Sequence, residues 1–133
     1  VSEIIVDTLT GKTYAGDITV TSEGGAATMQ LQQGLCKHWT QLDTQVVADS
    51  LNQSSITDNA GADATYNFAN NMSNGDYSAG ALSCAGITNP YSTLAFFTDM
   101  PSTSSYRTVG FYSTTKRTTD LSRNCVNTFG DLA

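Results

Sequence analysis

Cations are scarce in this chain. Lysine and arginine together occur 6 times in 133 residues against 12 aspartates and glutamates, for a net charge of −6. So few positive groups leave little with which to neutralise a phosphate backbone, which excludes duplex nucleic acid as a partner. Histidine occurs once, as His38, and the three cysteines, Cys36, Cys84 and Cys125, form no C-x-x-C pair. A structural zinc site needs four closely organised ligands, so none is expected. No apolar run approaches the about 18–20 residues of a membrane span. Neither a signal peptide nor a targeting tail is recognisable, as in a mature, processed or excised extracellular domain.

What the chain has instead is Ser, Thr, Asn, Gln and Gly, with 39% apolar residues and only 14% charged ones. That is too apolar for a disordered chain. The length suits one globular domain, residues 1–133, with a single core. A Thr/Ser/Asn-rich, lysine-poor composition favours export, and export favours one disulfide with one cysteine left over.

Hydrophobic spacing gives a coarse layout. The β-branched stretches Ser2–Leu9 and Tyr14–Thr21 flank Thr10, Gly11 and Lys12, the pattern of an antiparallel hairpin. A strand is predicted over Ala27–Gln32. Leu35, Trp39, Leu42 and Val46 then recur at helical intervals, which predicts a short helix over Gln33–Leu42 and an extended segment over Thr44–Ala48. One long helix is the alternative. Asn52–Gly86 reads as a long Asn/Ser/Gly-rich loop anchored by Tyr66, Phe68 and Tyr77, with a candidate helix over Ala62–Met72. Strands are predicted over Thr93–Thr98 and Tyr106–Ser113, and Thr118–Phe129 reads as a helical turn or an irregular tail. The expected fold class is α+β: an antiparallel sheet with one or two short helices packed on one face.

Chemistry is sparse. His38 is the residue able to exchange protons near neutral pH, but no G-x-S-x-G elbow accompanies it. Asp58 and Asp63, with Asn59 and Gly61, could contribute to a calcium loop, yet the alternating ligands and final glutamate are missing. Gly24 and Gly25 lack the strand-loop-helix setting of a phosphate cradle. Asn52-Gln53-Ser54 and Asn71-Met72-Ser73 match the glycan-acceptor pattern. Lys116, Arg117 and Arg123 form the basic cluster. Tyr91, Phe96, Phe97, Tyr106, Phe111 and Tyr112 read mainly as core, with part of the set open to a contact patch. The expectation is therefore no catalytic, cofactor or metal site.

Gly16 to Gly25, the strand-like Ala27–Gln32, then Gly34, Leu35, Cys36, Lys37, His38 and Trp39 form an ordered series. Leu82, Ser83, Cys84, Ala85 and Gly86 come far downstream, followed by Asn89 to Phe97. This layout resembles the globular head of type IV pilins, particularly the type IVb branch, over residues 16–97, with 98–133 as a C-terminal extension. In that family a strand leads to a short helix holding the first cysteine, and the second cysteine precedes a strand that completes the sheet. Residues 1–133 contain no counterpart of the family's N-terminal hydrophobic helix. The resemblance implies a Cys36–Cys84 disulfide, which in the chain-entropy model contributes about 4 kcal/mol. It further implies a surface loop between the two cysteines, with Asn52, Asp58, Asp63, Tyr66 and Tyr77 as its contact residues.

The function so implied is a non-enzymatic structural or adhesive subunit of a bacterial extracellular filament. Its partners would be copies of itself and a host-surface glycan or protein. A secreted glycan- or protein-binding module and a small viral coat protein are the alternatives, with a hydrolase built on His38 last.

Overall fold

A computed structural model describes residues 3–15, 17–84, 95–97, 99–112, 115–116 and 120–133, with backbone alone at 83, 84, 95–97, 112, 115 and 116. The chain divides into two compact units, Val1–Leu35 and Cys36–Ala133.

In the first unit, β1 (Thr19–Thr21) pairs antiparallel with β2 (Thr28–Gln30), Thr19 opposite Gln30. Gly25 turns the chain between them with φ +72°, a left-handed value that glycine adopts without steric penalty. A single helical turn, α1 (Leu31–Gly34), follows. The hairpin expected over Ser2–Leu9 and Tyr14–Thr21 is therefore displaced along the sequence. Residues 3–15 contain no strand, and the chain bends back where Gly11 N–H donates to Ala15 O at 2.9 Å. The predicted Ala27–Gln32 strand survives, shortened, as β2.

The second unit is a β-sandwich. Its strands are β3 (Cys36–Asp43), β4 (Val46–Leu51), β5 (Gln53–Ala60), β6 (Asp63–Phe68), β7 (Ser78–Cys84), β8 (Ala95–Phe97), β9 (Ser105–Tyr112), β10 (Thr115–Lys116) and β11 (Arg123–Phe129). One sheet has the order β4-β3-β11-β7; the other runs β10-β9-β6-β5, with β8 also paired to β9. Every pairing is antiparallel. The stretch beyond residue 97 supplies β9 and β11, which are interior strands of the two sheets.

The two inner faces share one core. Leu42 and Val126 come from the four-stranded sheet, Ala64, Tyr66, Phe68 and Tyr106 from the other, and Met72 and Tyr77 from the loop between β6 and β7. Tyr66 and Tyr106 are register partners on β6 and β9, and their rings stack at 5.1 Å. Aromatic cross-strand pairs of this kind are worth about 0.5–1.5 kcal/mol beyond the area they bury.

Among the described residues strand makes up 52% and helix 4%, with no helix of seven or more residues, so the fold is antiparallel all-β and not α+β. The helix expected over Gln33–Leu42 is β3: His38, Thr40 and Leu42 point inward and are buried, while Trp39 and Gln41 alternate outward. Alternation sets the face in a strand, so the helical spacing of Leu35, Trp39, Leu42 and Val46 was coincidental. The helix expected over Ala62–Met72 is β6, with Ala64, Tyr66 and Phe68 on one face. The long loop Asn52–Gly86 holds β5, β6 and β7, and the tail Thr118–Phe129 contains β11. Of the strands predicted over Thr93–Thr98 and Tyr106–Ser113, β8 and β9 lie within or across those bounds; residues 93, 94, 98 and 113 lie outside the described residues. Among the described residues no helix is long and apolar enough to cross a membrane.

Candidate functional site

The outer face of the four-stranded sheet is shaped by what β3, β11 and β7 turn away from the core. Along β11 the alternation is strict: Asn124, Val126 and Thr128 are buried, and Arg123, Cys125, Asn127 and Phe129 are exposed. Register then builds cross-strand rows. Trp39 lies opposite Asn127, and Asn127 opposite Gly80; the next row is Gln41, Cys125 and Leu82. Gly80 has no side chain, so its row dips between the indole on one flank and Leu82, 67% exposed, on the other. The resulting trough has a volume of about 430 Å³. That is within the range of small-ligand sites.

Asn127 leans across the dip: a Cβ at Gly80 would stand 2.7 Å from its Oδ1. Among the described residues, the side chains lining the trough include no formal charge. They offer one aromatic plane, two primary amides, a thiol and an aliphatic wall. Such a set can stack and hydrogen-bond a neutral ligand; it holds no acid–base pair.

His38 lies on the opposite face of β3, fully buried. Its Nε2–H donates to Gln53 Oε1 at 2.6 Å, and the Thr40 hydroxyl donates to the same oxygen at 2.7 Å. Gln53 is oriented by its own Nε2, which donates to Asn67 O at 2.7 Å. On the other side of the ring, the Tyr106 hydroxyl stands 3.3 Å from Nδ1. Phe68 and Tyr106 contact the ring edge-on at 5.0 and 5.6 Å. Burial pushes the imidazole below its ordinary pKa of 6.5, against a smaller upward pull from Gln53. With both nitrogens engaged inside the core, the ring offers nothing to a substrate. It is a neutral cross-sheet tie.

The contact residues expected from sequence divide. Asp63 and Tyr66 are fully buried and Tyr77 is 9% exposed, so these three belong to the interior and not to a contact surface. Arg107 holds the Asp63 carboxylate by two bonds, Nε to Oδ1 at 2.7 Å and Nη2 to Oδ2 at 2.8 Å. The buried Asp63 carboxylate is thus committed to Arg107, while Asp58 stands exposed. Burial pushes the Tyr66 and Tyr77 phenols up to about 12. Tyr77 donates from its hydroxyl toward Ser102 O and Ser105 O, each 3.1 Å away. Asn52, half-buried with φ +57°, turns the corner between β4 and β5; its Oδ1 accepts from Asn70 N–H at 2.6 Å. Asp58 is the one of the five on open surface.

The implied Cys36–Cys84 disulfide is corrected by register. Cys36 lies level with Phe129 and Cys84 level with Arg123, on strands flanking β11 from opposite sides. The two α-carbons are thus six residues apart along the strands, about 20 Å, and two strand spacings apart across them. A bridge needs about 4.4–6.8 Å. Cys36 is a free thiol that donates to His38 O at 3.0 Å, and Cys125 is free and exposed. Tyr91, Arg117 and the side chains of Cys84, Phe96, Phe97, Tyr112 and Lys116 lie outside the described residues.

Sequence reasoning missed the trough because it placed its residues on a helix, a loop and a tail. The signal that could have found it is the alternation of residues 123–129, read together with the lone tryptophan. No family model matches the chain, no curated protein matches it, and no solved structure matches it.

Proposed function

We propose that this chain is a non-enzymatic extracellular recognition module that binds its partner on the outer face of β3, β11 and β7. The observation that carries the reading is the uncharged trough around Trp39, Asn127, Gly80 and Leu82. A largely exposed leucine across β11 from a half-buried tryptophan costs solubility and adds little packing to the sandwich, whereas it suits a contact surface. Polar Ser, Thr and Asn on the remaining surface keep such a module soluble with little charge.

The test is binding to arrays of glycans and extracellular-matrix proteins by the wild-type chain, Leu82→Arg and Thr57→Arg. Leu82→Arg puts a long cation into the trough, while Thr57 is exposed on β5 of the other sheet. Loss of array binding in Leu82→Arg alone supports the reading. Equal binding by all three variants, or no binding by the wild type, overturns it.

A filament subunit is the second reading, favoured by one feature of the first unit. Ile4 and Ile5 are 83% and 84% exposed, and Val6 and Leu9 are also open. Burying each such side chain against another copy contributes about 1.5–3 kcal/mol. Sedimentation that shows self-association, abolished by Ile5→Asp, supports this reading; a monomer at high concentration removes it.

A further inference from the structure

We infer that the ligand of the β3-β11-β7 trough is a neutral carbohydrate, with Trp39 as the stacking platform and the Asn127 and Gln41 amides as its hydrogen-bonding partners. This rests on the recognition reading of the same face. Three observations carry it.

The first is charge. Among the described residues the lining side chains carry none. Asp49, opposite Gln41, and Arg123, two residues from Cys125, stand at the margin. An ionic ligand seated in the trough itself would therefore be desolvated without a charged partner in the lining. The second is hydrogen-bonding capacity. Among the described residues neither the Gln41 nor the Asn127 amide has an intramolecular partner. Each presents a donor and an acceptor to a cavity, which matches adjacent hydroxyls on a sugar ring. The third is shape. Gly80 adds no side chain to the row from Trp39 through Asn127, so a flat ring lying against the indole meets the Asn127 amide over Gly80 and, from β7, only the Leu82 wall in the next row. One face of a pyranose carries C–H groups that pack on an aromatic plane while the ring edge carries hydroxyls. A proline-rich peptide also packs on aromatic grooves, but it has no paired hydroxyls for two primary amides.

The chain contains one tryptophan, so its fluorescence reports this site alone. The experiment titrates the full chain with neutral oligomers of glucose, galactose, mannose and N-acetylglucosamine, and with a proline-rich peptide. A saturable change in Trp39 emission with at least one sugar is expected. Asn127→Ala should weaken it about five- to tenfold through loss of one or two hydrogen bonds, and Thr57→Arg should leave it unchanged. Silence across the whole sugar panel, saturation by the peptide instead, or an undiminished response in Asn127→Ala overturns the assignment. Protein-array binding that Leu82→Arg removes would then still stand, which separates failure of the sugar from failure of the surface.

Discussion

His38 on β3 and Gln53 on β5 join the two sheets through a 2.6 Å hydrogen bond inside the core. Because this is the chain's one histidine, it dominates side-chain titration between about pH 5.5 and 7.5. Its folded pKa lies below the unfolded value of 6.5. The unfolded chain therefore binds more protons in that window, and stability is complete above pH 6.5 and falls as pH drops below it. The slope is at most about 1.4 kcal/mol per pH unit. Urea unfolding at stepped pH should show this loss, and a flat profile from pH 7.5 to 5.5 would contradict a buried neutral imidazole.

Arg107 and Asp63 make an asymmetric pair, since Asp63 is fully buried while the Arg107 side chain is 34% exposed and also meets Asp99 at 3.1 Å. Removing Arg107 leaves a carboxylate in the interior with its main compensation gone. Removing Asp63 leaves a guanidinium that still reaches water and Asp99. Arg107→Ala should therefore lower the melting temperature more than Asp63→Ala. The reverse order would show that the carboxylate is not held as described.

The turn between β3 and β4 is two residues long, and both residues have left-handed backbone: Thr44 at φ +48° and Gln45 at φ +64°. Such a turn prefers Asn-Gly, and a β-branched threonine is strained there. Replacing Thr44 with Asn and Gln45 with Gly should stabilise the protein by about 1–2 kcal/mol, read as a raised urea midpoint at unchanged slope. A loss of stability would mean that the long 3.4 Å contact from Gln45 Nε2 to Asp120 outweighs the strain.

Cysteine connectivity gives a direct check on register. Peptide mapping of air-oxidised protein should recover Cys36 unlinked to Cys84. A Cys36–Cys84 peptide in folded, monomeric material would contradict this register, since even with the two cysteines level β11 would stand between their strands.

Strand β2, within the expected Ala27–Gln32, and strand β9 were partly legible, because apolar or aromatic residues alternate with polar ones there; the pairing of β1 with β2 was not. β3 and β11 were not. In β3 the inward residues are His38, Thr40 and Leu42 while Trp39 and Gln41 face outward; in β11 the inward set is Asn124, Val126 and Thr128, with Arg123, Cys125, Asn127 and Phe129 outside. Both strands mix polar and apolar residues on each face, which blurs the hydrophobic-in, polar-out pattern on which period-two reasoning depends. The mixing has two physical sources. In β3 the core tolerates polar groups because hydrogen bonds satisfy them, as Gln53 satisfies His38 and Thr40. The outer face keeps large apolar groups where the trough forms. Propensity also misled at Ala62–Met72, where alanine and methionine suggested helix and pairing to β5 and β9 on both sides imposed strand.

Cys125, exposed on the central strand of the trough, and Cys36, half-buried at the end of β3, provide a built-in pair of reporters. The decisive measurement is their alkylation rates, read by peptide mass spectrometry, with and without a saturating amount of whichever array or sugar-panel member the chain binds. Occupancy of the outer face should slow Cys125 at least several-fold and leave Cys36 unchanged. An unaltered Cys125 rate in fully bound protein would place the partner elsewhere on the molecule.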